Sequence, residues 1–160
     1  MFDKFGKMDY EELNRCAAAQ LKEGDEDALL SLAKENGIEE DDALDYIDGV
    51  ADEFVTPLMA AVGRLKIEKE ALELKEVLGD WTDMISSMAA DDRALAIGIC
   101  KKDKSLAQCL GKIMKSAYEN KGKIHDDIVK AAGLKPPMYI GIPSNATVKK
   151  TIESYYGGGK

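Results

Sequence analysis

His125 is the single histidine of the chain, and it stands directly before Asp126 and Asp127. That grouping could in principle work as a general base or hold a metal. It falls in a lysine-rich turn ahead of a helical pattern, however, and no second histidine joins it, so capping or surface packing is the expected role. Gly111-Lys112 shares two letters with a phosphate-binding loop. It lies inside a helical pattern rather than after a strand, so it lacks the backbone cradle that such a loop needs. The acidic run Glu39-Glu40-Asp41-Asp42 lacks the alternating oxygen ligands, central glycine and twelfth-position glutamate of a calcium loop. The three cysteines, Cys16, Cys100 and Cys109, are odd in number and have no paired spacing. They read as reduced thiols of a cytoplasmic protein, mostly set on apolar stripes. No nucleophile, base and orienting group come together. The expectation is a protein that is not an enzyme, with no catalytic residue, metal or cofactor.

The arrangement of charge is more informative. Residues 1–100 carry 10 Lys/Arg against 25 Asp/Glu, a net of −15, whereas residues 101–160 carry 12 Lys against 5 Asp/Glu, a net of +7. Such asymmetry concerns partners rather than fold. Between Glu23 and Glu53 there are 13 acidic residues and one basic residue, Lys34. Asp41, Asp45, Asp48 and Asp52 recur at i, i+4, i+7 and i+11, which on one helix places them along one face. Like charges so spaced repel one another and slightly weaken the helix. Two readings follow: a solvated face that maintains solubility, or a phosphate-like surface that docks into a basic groove. In the basic half, Lys101, Lys102, Lys104, Lys112, Lys115, Lys121, Lys123 and Lys130 fall on or around two consecutive helical patterns, and Lys149-Lys150 open the last. Two such helices with Tyr139–Ile142 as a wing would suit a helix-turn-helix reader. Arginine is absent after Arg93, which argues against base reading and for phosphate contact without sequence choice.

The elements that must position these residues are helices, joined by tight turns. Asp9 with Glu12 reads as a capping box opening a helix over 10–23, with Leu13, Cys16, Ala17 and Leu21 inward and Gly24 as the stop. Further helices are expected over 26–36, ended by Gly37, and over 41–51, burying Leu44, Ile47 and Ala51. Thr56-Pro57 opens the next, with Leu58, Val62 and Leu65 at helical spacing, and a break follows between Glu68 and Glu73. The strongest stripe is Leu74, Val77, Leu78, Trp81, Ile85 and Met88. Asp91-Asp92 opens a short helix containing Leu95 and Ile99. Ser105 caps one running to Lys121-Gly122, Asp126–Ala132 forms another, and Ser144 or Asn145 caps a last one through Tyr155, with Gly157–Gly159 fraying. Met138–Pro143 is the only strand-like run, and it is too short to found a sheet. The whole reads as all-α, about eight helices in one compact domain or two closely packed lobes: an acidic lobe at 1–79 and a lysine-rich lobe at 80–160. No run approaches the roughly 20 apolar residues needed to cross a bilayer, and the opening Met1–Gly6 has no secretory-signal pattern. No membrane partner is expected.

The segment from about 80 to 132 resembles the PcfK-like proteins of bacterial conjugative elements. The resemblance rests on an aromatic-led helix (Trp81, Ile85), Asp91-Asp92, Lys102-Asp103-Lys104-Ser105-Leu106 with Cys109 one turn on, and Asp126-Asp127-Ile128-Val129. With Phe2-Asp3-Lys4-Phe5-Gly6, Glu23-Gly24-Asp25, Ala33–Ile38, Thr56-Pro57-Leu58-Met59 and Gly141-Ile142-Pro143 before Tyr155-Tyr156, the whole chain resembles a longer family. That family is grouped with anti-CRISPR proteins that inhibit the type II CRISPR effector nuclease. The resemblance implies an RNA-guided nuclease as protein partner, and such nucleases hold nucleic acid in a positively charged channel. Glu39, Glu40, Asp41, Asp42, Asp45 and Asp48 are the residues expected to meet it. Lys101, Lys102, Lys104, Lys112, Lys115, Lys149 and Lys150 are those expected to touch nucleic acid non-specifically. The alternatives are an accessory protein of a mobile element that binds nucleic acid or transfer machinery through the lysine-rich lobe, and head-to-tail self-association of the two charged ends.

Overall fold

The computed structural model describes residues 1–157, and the expected fraying of Gly158 and Gly159 lies outside them. Among the described residues there are nine helices: α1 (Tyr10–Glu23), α2 (Glu26–Glu35), α3 (Glu40–Ile47), α4 (Pro57–Ala71), α5 (Glu76–Asp91), α6 (Arg93–Ile99), α7 (Leu106–Glu119), α8 (Asp126–Ala131) and α9 (Asn145–Tyr156). The all-α expectation holds, and the local signals account for most boundaries. The Asp9 carboxylate accepts from the Glu12 N–H while Glu12 reaches back to Asp9, and Thr56, Ser105 and Ser144 each accept from an N–H of their helix's first turn. These caps satisfy donors that have no partner within the helix. The break after α4 places Glu73 in the left-handed region at φ 50°. His125 caps α8, its Nδ1 accepting from the Asp127 N–H at 3.3 Å.

Three expectations need correction. α3 ends at Ile47 rather than near Ala51 because Gly49 adopts φ 73° and closes the turn. The Val50 N–H donates to the Asp45 carbonyl at 2.8 Å and the Gly49 N–H to that of Tyr46 at 3.2 Å, the paired bonds of a Schellman stop. Asp52 therefore leaves the acidic row, and Ala43 rather than Leu44 is the buried residue. In α4 the apolar Leu58 and Val62 are 37% and 42% exposed, while Arg64 and Glu68 are buried at 3% and 4%. In α5, Val77 is exposed, whereas Trp81 and Ile85 are buried as expected. The strand-like run also finds a partner: Tyr139–Ile140 pairs antiparallel with Gly122–Lys123, a two-residue ladder between α7 and α9.

α4 packs against α5, α6 and α7, and α9 packs against α6 and α7. One hydrophobic cluster extends from Leu13, Leu29 and Phe54 through Leu65 and Ile85 to Ile113, Ile152 and Tyr156, so both halves of the sequence contribute to a single core. At its centre a polar knot ties distant segments together. Arg64 donates to the Met8 and Lys101 carbonyls, and Glu68 accepts from the Leu106 N–H at 2.5 Å with the Lys7 ammonium at 3.8 Å. Among the described residues no helix is long and apolar enough to cross a membrane.

Burial pushes the Cys100 thiol up to about 11 and the Cys109 thiol up to about 12, and it raises the Tyr156 hydroxyl as well. In each case the folded state holds its proton beyond the pH at which the unfolded chain releases it. The thiols' stabilisation is complete below about pH 8.5, their unfolded value, and is lost as pH rises toward 11–12. Urea midpoints should be level between pH 6 and 8 and fall steadily above 9. Alkylation of the native protein at pH 8 should reach the half-buried Cys16 first and leave Cys100 and Cys109 unmodified until the chain unfolds.

Candidate functional site: an acidic face and a lysine pocket

The acidic surface is carried by α2 and α3. Asp25 caps α2 by accepting from the Ala28 N–H at 2.9 Å, and Glu26 and Asp27 occupy its first turn. In α3 the first turn holds Glu40, Asp41 and Asp42. Carboxylates there are stabilised by the positive end of the helix dipole, so these residues have a structural reason for being acidic. Asp45 and Asp48 do not. They lie in the last turn and at the C-cap, where the dipole disfavours a negative charge and where α3 supplies no basic residue.

Of the six acidic residues singled out, Glu39, Glu40, Asp41, Asp45 and Asp48 are exposed and Asp42 is half-buried. Among the described residues, only Glu39 of the six forms an ion pair, with Lys66 of α4 at 2.8 Å. Among the described residues, no lysine of the C-terminal half pairs with these six carboxylates.

The seven C-terminal lysines separate into groups. Lys102 is engaged by Glu12 of α1 at 2.5 Å, and Lys115 pairs with Glu119 one turn along α7 at 3.8 Å. Lys101 and Lys149 are exposed, and the Lys101 carbonyl serves as an acceptor for Arg64. Lys104, Lys112 and Lys150 converge. They come from the turn before α7, from α7 itself and from α9, and they line one open pocket of about 530 Å³. Its wall includes Tyr155, above whose ring the Lys104 and Lys112 ammoniums lie at 4.7 and 5.9 Å from the centroid. Tyr155 is fixed by its hydroxyl, which accepts from the Ser105 N–H at 2.9 Å and donates to Gln108 Oε1 at 2.5 Å. Its ring also packs edge-on against Tyr156.

Sequence reasoning singles out the three lysines and places Tyr155-Tyr156 near the end of the same last helix, but it does not single out Gln108 or Ser154. Gln108 and Lys112 share a face of α7 at i, i+4, as do Lys150 and Ser154 on α9. That spacing was the available signal. Which face of α9 meets which face of α7 is a tertiary matter. The helix-turn-helix reading does not describe what is seen, because the Gly122–Lys123 strand separates α7 from α8 and the proposed wing pairs with that strand. Among the described residues, no group of three His, Cys, Asp or Glu side chains is placed to hold a metal ion. No protein-family model, curated protein or solved structure matches the chain.

Proposed function

We propose that this protein is an inhibitor of the anti-CRISPR type, a cytoplasmic binding protein and not an enzyme, that seats the acidic α3 surface in a basic nucleic-acid groove of an RNA-guided type II CRISPR nuclease. The observation that carries this reading is the free state of the carboxylates. Asp45 and Asp48 are exposed, form no ion pair among the described residues, and sit at the helix end where charge costs stability. Carboxylates maintained against local stability suit a partner that supplies the missing cations, as the arginine- and lysine-lined channels of such nucleases do. Division of labour follows the charge split: the 1–79 portion meets the nuclease, and the lysines of 80–160 touch guide RNA or displaced DNA. The resemblance to the PcfK-like and anti-CRISPR families points the same way.

The test is a pull-down with the nuclease, with and without guide RNA, followed by a cleavage assay. Wild-type protein should bind one form and suppress cleavage, and Asp41→Lys/Asp45→Lys/Asp48→Lys should abolish both. Asp45→Asn/Asp48→Asn separates binding from folding. Relief from the dipole and from the Asp41–Asp45 repulsion should make it more stable by about 0.3–1 kcal/mol, while nuclease binding weakens at least fivefold. If neither nuclease form binds wild-type protein, the reading is dead.

A second reading, an accessory protein of a mobile element that works through its lysines, is favoured by the convergence of Lys104, Lys112 and Lys150. Gel shifts without nuclease binding would select it. Charge-driven self-association would instead show as an oligomer that dissociates with salt in light scattering.

A further inference from the structure

We propose that the pocket between the 103–105 turn, α7 and α9 is a phosphate-ester site that takes the sugar–phosphate backbone of a single-stranded polynucleotide. The inference rests on reading the basic half as a nucleic-acid contact, and it narrows that reading from seven lysines to three and from a surface to a built site.

Three ammoniums from separate elements are gathered on one concavity, and two of them are held over the same tyrosine ring. Among the described residues none of the three is paired with a carboxylate at ion-pair distance. Asp103 lines the rim and offsets part of the positive charge without reaching any of them. Convergent, unpaired like charges repel one another, and an anion relieves that repulsion. The floor is preorganised for such a guest. Tyr155 is pinned by the Ser105 N–H and Gln108, so the ring that orients Lys104 and Lys112 does not have to be ordered on binding.

Ser154 of α9 adds a hydroxyl donor to the wall, while the Thr151 hydroxyl beside it donates to the Thr147 carbonyl at 2.9 Å and can only accept. A donor hydroxyl beside ammoniums suits phosphate oxygens, which accept from both. A volume of about 530 Å³ falls within the range of small-ligand pockets and accommodates a nucleotide-sized segment of strand. No arginine lines the pocket, so it lacks the forked donor that reads guanine, and binding should be indifferent to base.

The experiment uses the full chain and fluorescently labelled 12-nucleotide oligo-U and oligo-A, read by anisotropy across a salt series, with inorganic pyrophosphate as competitor. Wild-type protein should bind both oligomers with affinities within about threefold of each other. The pocket variant is Lys104→Gln/Lys112→Gln/Lys150→Gln, which retains much of each stem over Tyr155. It should bind at least tenfold more weakly, and its slope of log affinity against log salt should be shallower by about 2, from about 0.7 for each phosphate contact removed. Lys121→Gln/Lys130→Gln/Lys135→Gln makes the same change in net charge outside the pocket and should weaken binding less than threefold.

Pyrophosphate competition at millimolar concentration or below would mean that the pocket also accepts small phosphates. Its absence would mean that a polymer backbone is required. Equal losses in the two triple variants, or no binding of either oligomer by wild-type protein, would overturn the proposal. Lys150→Glu alone changes an exposed helical residue, so it tests the same prediction should the triple variant fold poorly. Because no nuclease is present, failure of the inhibitor reading leaves this result untouched, and failure here leaves the acidic-face pull-down untouched.

Discussion

Replacing Arg64 with leucine is expected to lower the unfolding free energy by about 3–5 kcal/mol, the range seen when one member of a buried charge cluster is removed. The side chain is 3% exposed, and its guanidinium satisfies the Met8 and Lys101 carbonyls while lying over the Phe2 ring at 5.4 Å. Leucine takes the guanidinium donor from both, leaving the part-buried Lys101 carbonyl with the Lys104 N–H at 3.2 Å alone. It also removes a cation from the surroundings of Glu68, whose carboxylate then has only Lys7 and the Leu106 N–H. Those contacts join the N-terminal segment, α4 and the turn that carries Lys104, so the loss should be global. In urea the midpoint should fall with an unchanged slope, and the melting temperature should drop by roughly 10 °C.

Arg64→Lys should recover little, because a single ammonium cannot reach two carbonyls as a planar fork does. Arg64→Met/Glu68→Met should cost less than the sum of the single changes, since neither partner is then left charged and alone. Additive losses in a double-mutant cycle would mean that the knot has no cooperative role.

Gly98→Ala should be comparably damaging although alanine is the better helix former. A Cβ at this position of α6 would lie 1.9 Å from the Tyr156 carbonyl oxygen and 2.9 Å from its carbon. The obstacle is backbone, so α9 must move by more than an ångström, and the cost should lie at or beyond the upper end of the about 1–3 kcal/mol usual for overpacking. Since α9 carries Lys150 and Ser154, the displacement should also weaken oligonucleotide binding in the salt-series assay. Gly111 on α7 provides the internal comparison, because a Cβ there meets nothing within 4 Å. Gly111→Ala should stabilise the protein by about 0.5–1 kcal/mol. Two glycine-to-alanine changes in helices would thus have opposite signs, set only by what lies opposite each.

The features legible in the sequence are those whose causes are local. The capping box at Asp9 and Glu12, the Thr56-Pro57 opening, and the serines before α7 and α9 all act within four residues, and each lies where expected. The stripe of α7 is equally local, and Leu106, Cys109, Leu110 and Ile113 are all buried. The end of α3 was written in Gly49, yet helical spacing of the aspartates ran past it. A turn closed by left-handed glycine overrides a pattern of charges that contributes nothing to packing.

Other features had no local cause. α4 buries Leu65 as apolar spacing implies, but it also buries Arg64 and Glu68 while exposing Leu58 and Val62. Carbonyls and an N–H from segments far along the chain provide the polar partners that make such burial tolerable.

The sequence by itself determined that this is an acidic, helical chain with a lysine-rich back, because composition and caps act on each segment separately. Only the tertiary structure decided where those charges stand with respect to one another. It left Asp45 and Asp48 in solvent, gave Lys102 to Glu12, and brought Lys104, Lys112 and Lys150 around one tyrosine. The physical reason is that charges separated along the chain meet only where the packing of apolar faces places them. Here the faces of α7 and α9, with Gly98 admitting the Tyr156 carbonyl, set that meeting point.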